Sequence, residues 1–490
     1  MREKRPNIIV FMTDQQNAVS MDPNGPIKTP NMDKFLKRSL RLTKNYCPSP
    51  HCCPSRASFF SGLMPTQHGV WNNVEVSNSL SKDLYDDIIL FPEVLKEHGY
   101  NNYFSGKWHV SAYQGPLDKG FDEVLFEHTT NYGRIEKENK SSNKDWERAY
   151  YEKENIDDFE EKKEFGKIIR PGYPHYYQFG VNENPFKDTD SVNYACDKIS
   201  DYNKDEPFFM YIGTTGPHDP YCPPQEFIDM YDINDIKLPE SFNDDMLDKP
   251  ALYRRTRDQF KTLTEGEHKE SILRYYAFCT YEDYLFGKVL DTVDKKGIID
   301  DTVIIYLTDH GDYLGAHGLW AKGLPCFKEA YEICGVIGGY DIKKGSECDE
   351  LAMLTDFFPT ILDLANIDIP DGLAGHSIKN LLYGQKLENP RTEIYTQSNG
   401  NEIYGIQRAV WNRKWKYVYN SFDYDELYDI ENDPNEMKNL FGKEEYECVV
   451  KQMCKKMWQY TKDVGDNCTS PYILVSLAPY GPGIIHLDTD

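Results

Sequence analysis

Short apolar runs recur along the chain, and four of them lead into residues that can carry chemistry. Each run has the length and the β-branched or aromatic content that is typical of a strand. The runs and the residues that follow them are NIIVFMT before Asp14, YNNYFSG before Lys107 and His109, PFFMYIGTTG before His218, and DTVIIYLT before Asp309 and His310.

Between these runs lie segments with helical periodicity. They are predicted at Asn31–Leu40, Asp86–His98, Ser191–Tyr202, about Glu267 to Lys296, and Asp349–Leu364. Strands that alternate with helices predict an α/β fold, in which a mostly parallel sheet is covered on both faces. Ligands of such sheets bind beyond the carboxyl ends of the strands, so we expect the four reactive clusters to meet at one edge.

Two regions depart from this alternation. A polar insertion at about 128–190 is rich in Glu, Lys, Asn and Asp, and is interpreted either as a solvated insertion or as a lid that shapes the substrate site. Beyond about residue 386, aromatic alternation followed by a polar turn and a helix predicts a smaller α+β module. The predicted domains are therefore 1–385 and 386–490.

The chain of 490 residues has a formal charge of −25 and a sequence pI near 4.9. This charge argues against nucleic acid or an anionic membrane as the main partner. If the substrate is an anion, the site must concentrate positive charge against the field of the whole chain. The apolar run at 8–12 is too short for a secretory signal, so we expect a cytoplasmic protein whose 12 cysteines are free thiols.

The segment CPSPHCCPSRASFFSG, residues 47–62, places three cysteines within seven residues. Pro54 suits the first turn of a helix and Gly62 suits its end, so Cys52 and Cys53 are predicted at a helix N-terminus. Such a position favours anions and lowers the pKa of a thiol. A zinc site, a disulfide and an ordinary loop are the alternatives, although the spacing lacks the C-x-x-C pair of a zinc site.

The stretch CCPSR, Cys52 to Arg56, fits C-x-P-x-R and resembles the signature of the sulfatase family. In that family the first cysteine of the motif is oxidised to formylglycine, an aldehyde whose hydrate is the nucleophile. Only Cys52 has proline two residues later and arginine four residues later, so Cys53 occupies the variable position.

The resemblance continues in order along nearly the whole chain. PNIIVFMTDQQ is similar to the family's first strand and first metal carboxylate, SGKWHV to its lysine–histidine element, GPHDPY to its substrate-side histidine, and LTDHGDYLGAHGLWAKG to its closing metal pair and late lysine. The resemblance implies an alkaline-phosphatase-like fold and the catalytic residues Cys52, Arg56, Lys107, His109, His218 and Lys322. The implied metal ligands are Asp14, Cys52, Asp309 and His310.

The residue types suit these implied roles. Carboxylate oxygens favour calcium or magnesium, and His310 would tolerate manganese; calcium is the expected metal. The metal would polarise the sulfate oxygens, while the cationic side chains would offset charge on the transferring group. By the resemblance, His218 and Lys322 assist departure of the alcohol, and His109 deprotonates the remaining hydroxyl of the nucleophile, which then expels sulfate.

Some positions depart from the family pattern. Asp14-Gln15 replaces a pair of aspartates and is similar to the choline-sulfatase and phosphonate-monoester-hydrolase branch, so Gln15 is left out of the metal set. Glu332 and Cys334 stand where an Ile-Pro or Val-Pro pair is usual in the family. The residues that form the pocket wall near Lys322 are therefore not predicted. We assign packing or supporting hydrogen bonds to His68 and His317, and no role to His51.

The sequence thus predicts hydrolysis of a small sulfate ester. One alternative is hydrolysis of a phosphonate monoester or phosphodiester by the same residues, and another is a catalytically silent homologue that binds ligands. The expected partners are the small sulfated substrate and a maturation enzyme that makes formylglycine. The oligomeric state is not readable from the sequence.

Overall fold

A computed structural model of the chain describes residues 5–76, 78–128, 168–169, 177–401, 403–468, 477 and 479–487. Most of the predicted insertion at 128–190 lies outside these residues. The last part of the insertion is described, and a short strand and the start of a helix lie within residues 177–190.

An eight-stranded sheet forms the centre of the molecule, and its strands are β1 (Asn7–Thr13), β2 (Ser39–Leu42), β4 (Asn101–Lys107), β5 (Glu123–His128), β8 (Phe208–Gly213), β9 (Thr302–Thr308), β11 (Gly335–Gly339) and β12 (Ser346–Cys348). Their order across the sheet is β12-β2-β11-β9-β1-β8-β4-β5. The five strands from β9 to β5 are parallel, whereas β11 runs antiparallel to both β9 and β2. The sheet is thus mostly parallel, as predicted.

The central strands are apolar along their length because both faces of the sheet are covered. Alternate residues of β1 belong to different clusters: Ile8, Val10 and Met12 pack in one, and Ile9 and Phe11 in the other. A continuous apolar run is therefore the pattern expected of a parallel strand between two layers of helices.

The helices of the described residues are α1 (Pro30–Leu36), α2 (Cys52–Ser61), α3 (Pro65–His68), α4 (Phe91–Glu97), α5 (Asp188–Asp201), α6 (Gln225–Ile228), α7 (Ala251–Asp258), α8 (Glu265–Lys296), α9 (Lys328–Tyr331), α10 (Phe357–Leu364), α11 (Lys379–Leu382) and α12 (Glu447–Asp463). Three predicted helices are shorter than expected. The first ends at Leu36 because Ser39 begins β2, and the second begins only at Phe91, ahead of Pro92. The last begins at Phe357, after a strand and a short 3-10 turn.

A separate four-stranded antiparallel sheet lies in the C-terminal part of the chain. Its strands, in order, are β14 (Ile394–Ser398), β15 (Gln407–Trp411), β16 (Trp415–Asn420) and β17 (Glu426–Asp429), and α12 packs on β15 and β16. Short pairings complete the structure: β3 (Asn45–Tyr46) with β10 (Glu332–Ile333) and β13 (Ala352–Met353), and β6 (Ile168–Ile169) with β7 (Tyr177–Phe179). No helix among the described residues has both the length and the apolar composition needed to cross a bilayer.

Candidate active site

Cys52 is the first residue of α2, a helix whose ten residues are all buried. His51 precedes the helix in an extended conformation, and Gly62 ends it with φ 69°, a left-handed value that glycine adopts without a steric penalty. The helix therefore directs its N-terminus, where backbone N–H groups lack helical partners, towards the carboxyl ends of β1 and β9.

Four side chains from three parts of the chain meet at this point. Asp14, Cys52, Asp309 and His310 are buried, and one potential ligand atom of each lies within 4.8 Å of all the others. Sγ of Cys52 lies 3.1 Å from Nε2 of His310 and 3.7 Å from Oδ1 of Asp14. These are the four residues that the sequence predicts as metal ligands.

Arg56 bridges the two carboxylates of this group. Its Nε donates to Oδ2 of Asp309 at 2.8 Å, and its Nη2 donates to Oδ2 of Asp14 at 3.0 Å. Nη1 donates to the hydroxyl of Tyr211 at 2.9 Å and to the carbonyl of Lys107 at 3.2 Å. The guanidinium is fully buried, so it acts here on the carboxylates and fixes their orientation.

Lys107 ends β4 and donates from Nζ to Oδ2 of Asp14 at 2.6 Å. Burial and Cys52 raise the pKa of Asp14, but the charges of Lys107, His218 and Arg56 outweigh them and lower that pKa well below its ordinary value. Both cations bond Oδ2, which leaves Oδ1 of Asp14 facing Cys52 and His310. Asp14 therefore presents an ionised oxygen to the group.

His109 lies beside Cys52 and pairs with a residue that sequence reasoning missed. Its Nε2 lies 3.0 Å from Oε2 of Glu75, whereas its Nδ1 is buried and has no hydrogen-bond partner among the described residues. Burial lowers the pKa of His109, but its interactions with Cys53 and Glu75 raise it well above its ordinary value. Glu75 stands in a polar loop, where the sequence gives no signal to distinguish it from other acidic residues.

His218 and Lys322 form a second pair, with Nζ of Lys322 2.6 Å from Nε2 of His218. Because an ammonium can only donate, Nε2 of His218 is the acceptor, and Nδ1 donates to the carbonyl of Asp219 at 2.5 Å. Nε2 of His218 lies 4.0 Å from Oδ1 of Asp14, which places this pair next to the four-residue group.

Gln15 bridges the pair to buried carboxylates. Its Oε1 accepts from Lys322 at 2.6 Å, while its Nε2 donates to Asp219 at 2.9 Å and to Asp312 at 2.6 Å. Both ends of the amide are thus engaged in hydrogen bonds. The exclusion of Gln15 from the metal set stays a prediction.

Asp312 is a further buried residue that the sequence interpretation did not single out. Its Oδ2 accepts from Tyr221 at 2.7 Å, and its Oδ1 accepts from the backbone of Leu314 at 2.7 Å and Ala321 at 3.1 Å. It fixes the turn that carries Lys322. The sequence does contain a signal for this residue, because Asp312 is the second aspartate of the DHGD motif.

The other residues that the sequence analysis named lie outside the four-residue group. Nε2 of His68 lies 3.0 Å from the Ser58 hydroxyl, and Nδ1 of His317 lies 2.7 Å from Oδ2 of Asp244. His51 is buried, and burial together with His310 and Lys322 lowers its pKa to about 3. The partners of Glu332 are Lys44 and Tyr46, and those contacts do not involve Lys322.

Three cationic side chains, those of Arg56, Lys107 and Lys322, lie around Cys52 in a chain of net charge −25. Burial raises the pKa of the Cys52 thiol, but the charges of Lys322, Lys107 and His310 outweigh burial and lower it well below its ordinary value. Whatever group occupies this position is therefore favoured in its anionic form. A buried cysteine, candidate acid and base groups on either side and a set of potential metal ligands are the arrangement expected of a hydrolase of the alkaline-phosphatase-like class.

Comparison with known proteins specifies the family. The family model described as Sulfatase matches residues 6–367, and a second, described as N-sulphoglucosamine sulphohydrolase, C-terminal, matches residues 315–463. The chain therefore belongs to the sulfatase family.

The chain is similar to several characterised and solved proteins. It is 28% identical to a choline-sulfatase of Rhizobium meliloti over 459 residues, covering 90% of this chain and 83% of that protein. It is 28% identical to an arylsulfatase of Clostridium perfringens over 465 residues, covering 90% and 91%. The structure of the phosphonate monoester hydrolase of Agrobacterium radiobacter superposes with a TM-score of 0.76 at 19% identity, covering 94% and 96%, which confirms the predicted fold class.

Proposed function

We propose that this enzyme hydrolyses a small sulfate ester with a formylglycine nucleophile made from Cys52. The observation that carries the proposal is the position of Cys52 at the N-terminus of α2, with Sγ 3.1 Å from His310 and 3.7 Å from Asp14. The unmodified sulfur stands where the oxygens of the hydrated aldehyde would lie. Cationic side chains around this point suit an anionic sulfate group.

The donor set fits a divalent metal. Two carboxylates and one imidazole supply hard and borderline ligands, and Oδ1 of Asp14 is left facing the group by the bonds that its other oxygen makes. Asp14, Asp309, His310 and the oxidised residue 52 would hold the ion, with calcium as the expected metal. When bound, the ion supplies positive charge that favours an ionised nucleophile and polarises the sulfate oxygens.

On the leaving-group side, His218 and Lys322 hold the proton that the departing oxygen needs. Nζ of Lys322 and Nε2 of His218 lie 2.6 Å apart, so both can reach one ester oxygen; the protonated imidazole would donate to that oxygen through Nε2 once this nitrogen no longer accepts from Lys322. The side chain of His218 is 21% exposed, whereas His310 is fully buried. His218 is therefore the histidine of the two that a substrate can reach.

On the nucleophile side, His109 offers an unpartnered ring nitrogen. Because Nε2 is held by Glu75, Nδ1 is free to accept a proton from a hydroxyl on residue 52. The two histidines thus serve different protons, one on the leaving oxygen and one on the nucleophile. This division is what an ester hydrolysis in two steps requires.

The proposal implies a maturation enzyme that oxidises Cys52, and a small substrate. The cytoplasmic location and the boundary at residue 386 stay predictions.

Mass spectrometry of the tryptic peptide NYCPSPHCCPSR, residues 45–56, tests the nucleophile in protein made in its native host. We expect loss of the thiol and gain of an aldehyde at Cys52 alone. Cys52→Ala should abolish turnover of sulfate esters, while Cys53→Ala, the matched neighbour, should retain it. An unmodified Cys52 in active enzyme contradicts the mechanism, and faster turnover of phosphonate monoesters than of sulfate esters contradicts the substrate class.

A further inference from the structure

Residues 322–328 run from the leaving-group lysine into the start of α9, and we name them the connecting segment. The peptide at Cys326 is bonded on both sides: its N–H donates to the hydroxyl of Tyr253 at 3.2 Å, and its carbonyl accepts from Nζ of Lys416. Lys416 lies on β16, and the Tyr253 hydroxyl donates to Glu426 of β17 at 2.7 Å. Side chains of the C-terminal sheet therefore fix the backbone four residues beyond the lysine.

Glu436, in the turn after β17, completes this contact. Its Oε1 accepts from Nζ of Lys416 at 2.6 Å, and its Oε2 accepts from the backbone N–H of Lys328 at 2.9 Å. Both charged side chains are buried. One buried ion pair thus binds the carbonyl of Cys326 and the N–H of Lys328 at the same time.

This pair is a costly way to join two parts of a protein. Taking an ammonium and a carboxylate out of water has a penalty that their attraction only partly offsets, and apolar residues of similar volume often stabilise a fold as well or better. Glu436 also has φ 53°, in the left-handed region that is unfavourable for a residue with a side chain. Such strain persists where the surrounding structure fixes a geometry that function needs. What the pair provides is a fixed position for the connecting segment.

The backbone is also fixed at the other end of the connecting segment. Ala321, just before Lys322, has φ 59°, and its N–H donates to Oδ1 of Asp312 at 3.1 Å. Its carbonyl accepts from the N–H of Tyr313 at 2.8 Å, and the hydroxyl of Tyr313 donates to the carbonyl of Pro325 at 2.5 Å. Lys322 is therefore carried on a short stretch that the DHGD turn holds on one side and the C-terminal sheet on the other.

Lys322 has little room for displacement. Its Nζ lies 2.6 Å from both Nε2 of His218 and Oε1 of Gln15, and both bonds require the backbone in one place. A misplacement of about 1 Å, caused far from the chemistry, can cost about 10²-fold in rate. The contact that fixes the connecting segment is therefore expected to matter for turnover.

We propose that Lys416 and Glu436 are positioning residues for the departure of the leaving group. The pair holds the connecting segment where Lys322 reaches both His218 and the departing oxygen. The inference rests on the proposed function, which assigns Lys322 to that step. It gives the C-terminal sheet a part in catalysis through residues that lie outside the four-residue group.

A double variant removes the pair without leaving an unpaired buried charge. In Lys416→Met with Glu436→Gln, methionine fills the space of the lysine stem, and glutamine keeps an oxygen for the N–H of Lys328. The matched control is Lys414→Met with Glu431→Gln, because Lys414 and Glu431 form an exposed pair, 3.6 Å apart, beside the same sheet. Both variants are full-length proteins that carry formylglycine.

Turnover of a series of aryl sulfates separates positioning from a general loss of structure. The ratio kcat/KM reports the step in which the phenol departs. For weakly acidic phenols the first variant should lose about tenfold or more, because departure then depends on the pair of Lys322 and His218. For nitrophenols the loss should be smaller, and the control should match the native enzyme on every ester. An equal loss on all esters, or no loss on any, overturns the proposal.

Hydrogen exchange tests the contact without any need for activity. The N–H groups of Cys326 and Lys328 are both hydrogen-bonded, so peptides spanning residues 323–331 should exchange faster when loss of the pair makes local opening easier. The control should exchange like the native protein. Faster exchange in a protein that hydrolyses no sulfate ester would mean that the proposed function fails while the contact holds. Unchanged exchange in the first variant overturns the positioning role, whatever ester the native enzyme hydrolyses.

Discussion

Lys322 donates from Nζ to Nε2 of His218 at 2.6 Å and to Oε1 of Gln15 at the same distance. Gln15 in turn donates to the carboxylates of Asp219 and Asp312, so the ammonium is oriented by a neutral amide that is itself held in place. A neutral residue at position 15 removes one negative charge next to Lys322. The charge of Lys322 is thereby available to His218 and to the substrate.

The first prediction concerns His218 as the acid for the leaving group. His218→Ala should lower kcat for an alkyl sulfate by roughly 10²–10⁴-fold, the usual contribution of a general acid. The loss should shrink for aryl sulfates as the phenol becomes more acidic, because a good leaving group needs no proton. Turnover of a series of aryl sulfates measures this dependence.

Lys386→Ala serves as the control, because Lys386 is an exposed lysine. Its kcat should match that of the native enzyme on every ester. A His218→Ala enzyme that loses the same factor on all leaving groups would show that His218 orients the substrate rather than donating a proton.

The second prediction concerns metal binding. Two buried carboxylates, Asp14 and Asp309, lie within the same group, so a bound cation should stabilise the fold as well as the reaction. A ligand at one hundred times its Kd adds about 2.7 kcal/mol to the free energy of unfolding. Removal of metal by a chelator should lower both Tm and activity, and adding back calcium, magnesium or manganese singly should identify the ion.

Asp309→Asn should abolish the rise in Tm that added metal gives. Asp294→Asn, at an exposed carboxylate paired with Arg38, should preserve that rise. Equal metal-dependent stabilisation of both variants would place the ion elsewhere.

Much of the central fold is predictable because the parallel strands are read from single apolar runs. β1 and β9 are buried at nearly every position, and both end directly before an aspartate. Strand ends in a parallel sheet meet at one edge, so Asp14 and Asp309 could be brought together without knowledge of any contact. The order of β2, β11 and β12 could not be read, since pairings between strands far apart in the sequence leave no local pattern.

The residues of the candidate site likewise divide into those that a sequence motif marks and those that none marks. Residues within motifs, such as Arg56 or Lys322, are marked by neighbours in the sequence. Glu75 is not, because its role depends on a loop that returns to His109 across 34 residues. The predicted helix ends are wrong where a turn or a strand interrupts an apolar pattern, as at Leu36 and Phe357.

The third prediction concerns Glu75 and the pH dependence of turnover. Cys53 and then the carboxylate of Glu75 raise the pKa of His109 above its ordinary value. A general base works only when deprotonated, so a raised pKa moves the acidic limb of the kcat profile to higher pH. Glu75→Gln removes the charge and should move that limb to lower pH.

A kcat profile against pH for Glu75→Gln and for Glu97→Gln, an exposed glutamate at the end of α4, measures the effect. Only the profile of Glu75→Gln should shift relative to that of the native enzyme. Coincident profiles would show that His109 is not the group that titrates in turnover.

The fourth prediction concerns a buried pair of carboxyls behind the segment that carries His218. Asp188 accepts from the backbone amides of Thr215 and Gly216 at 2.9 and 2.7 Å, and Glu282 of α8 is fully buried beside it. Burial raises the pKa of Asp188 from 3.8 to about 7, and burial together with Asp188 raises that of Glu282 well above its ordinary value. The pair therefore takes up protons on folding.

The sign of the pH dependence follows from this uptake. A carboxyl whose pKa is higher in the folded state contributes stability that is complete below the unfolded pKa, and this stability is lost as pH rises through the folded value. The contribution of this pair to the free energy of unfolding should therefore fall between about pH 4 and pH 7, in step with the pKa of Asp188. In Glu282→Gln the amide can donate to an ionised Asp188 without a titrating proton, so this loss should become smaller.

Melting curves at several pH values compare Glu282→Gln with Glu265→Gln, a change at the exposed start of the same helix. The second variant should reproduce the native slope, because Glu265 lies outside the pair. If Glu282→Gln keeps the full slope, the proton is held elsewhere, and the segment from Thr214 to Asp219 does not depend on this pair. A smaller slope, with activity retained at higher pH, would show that a neutral carboxyl stabilises the backbone on which His218 stands.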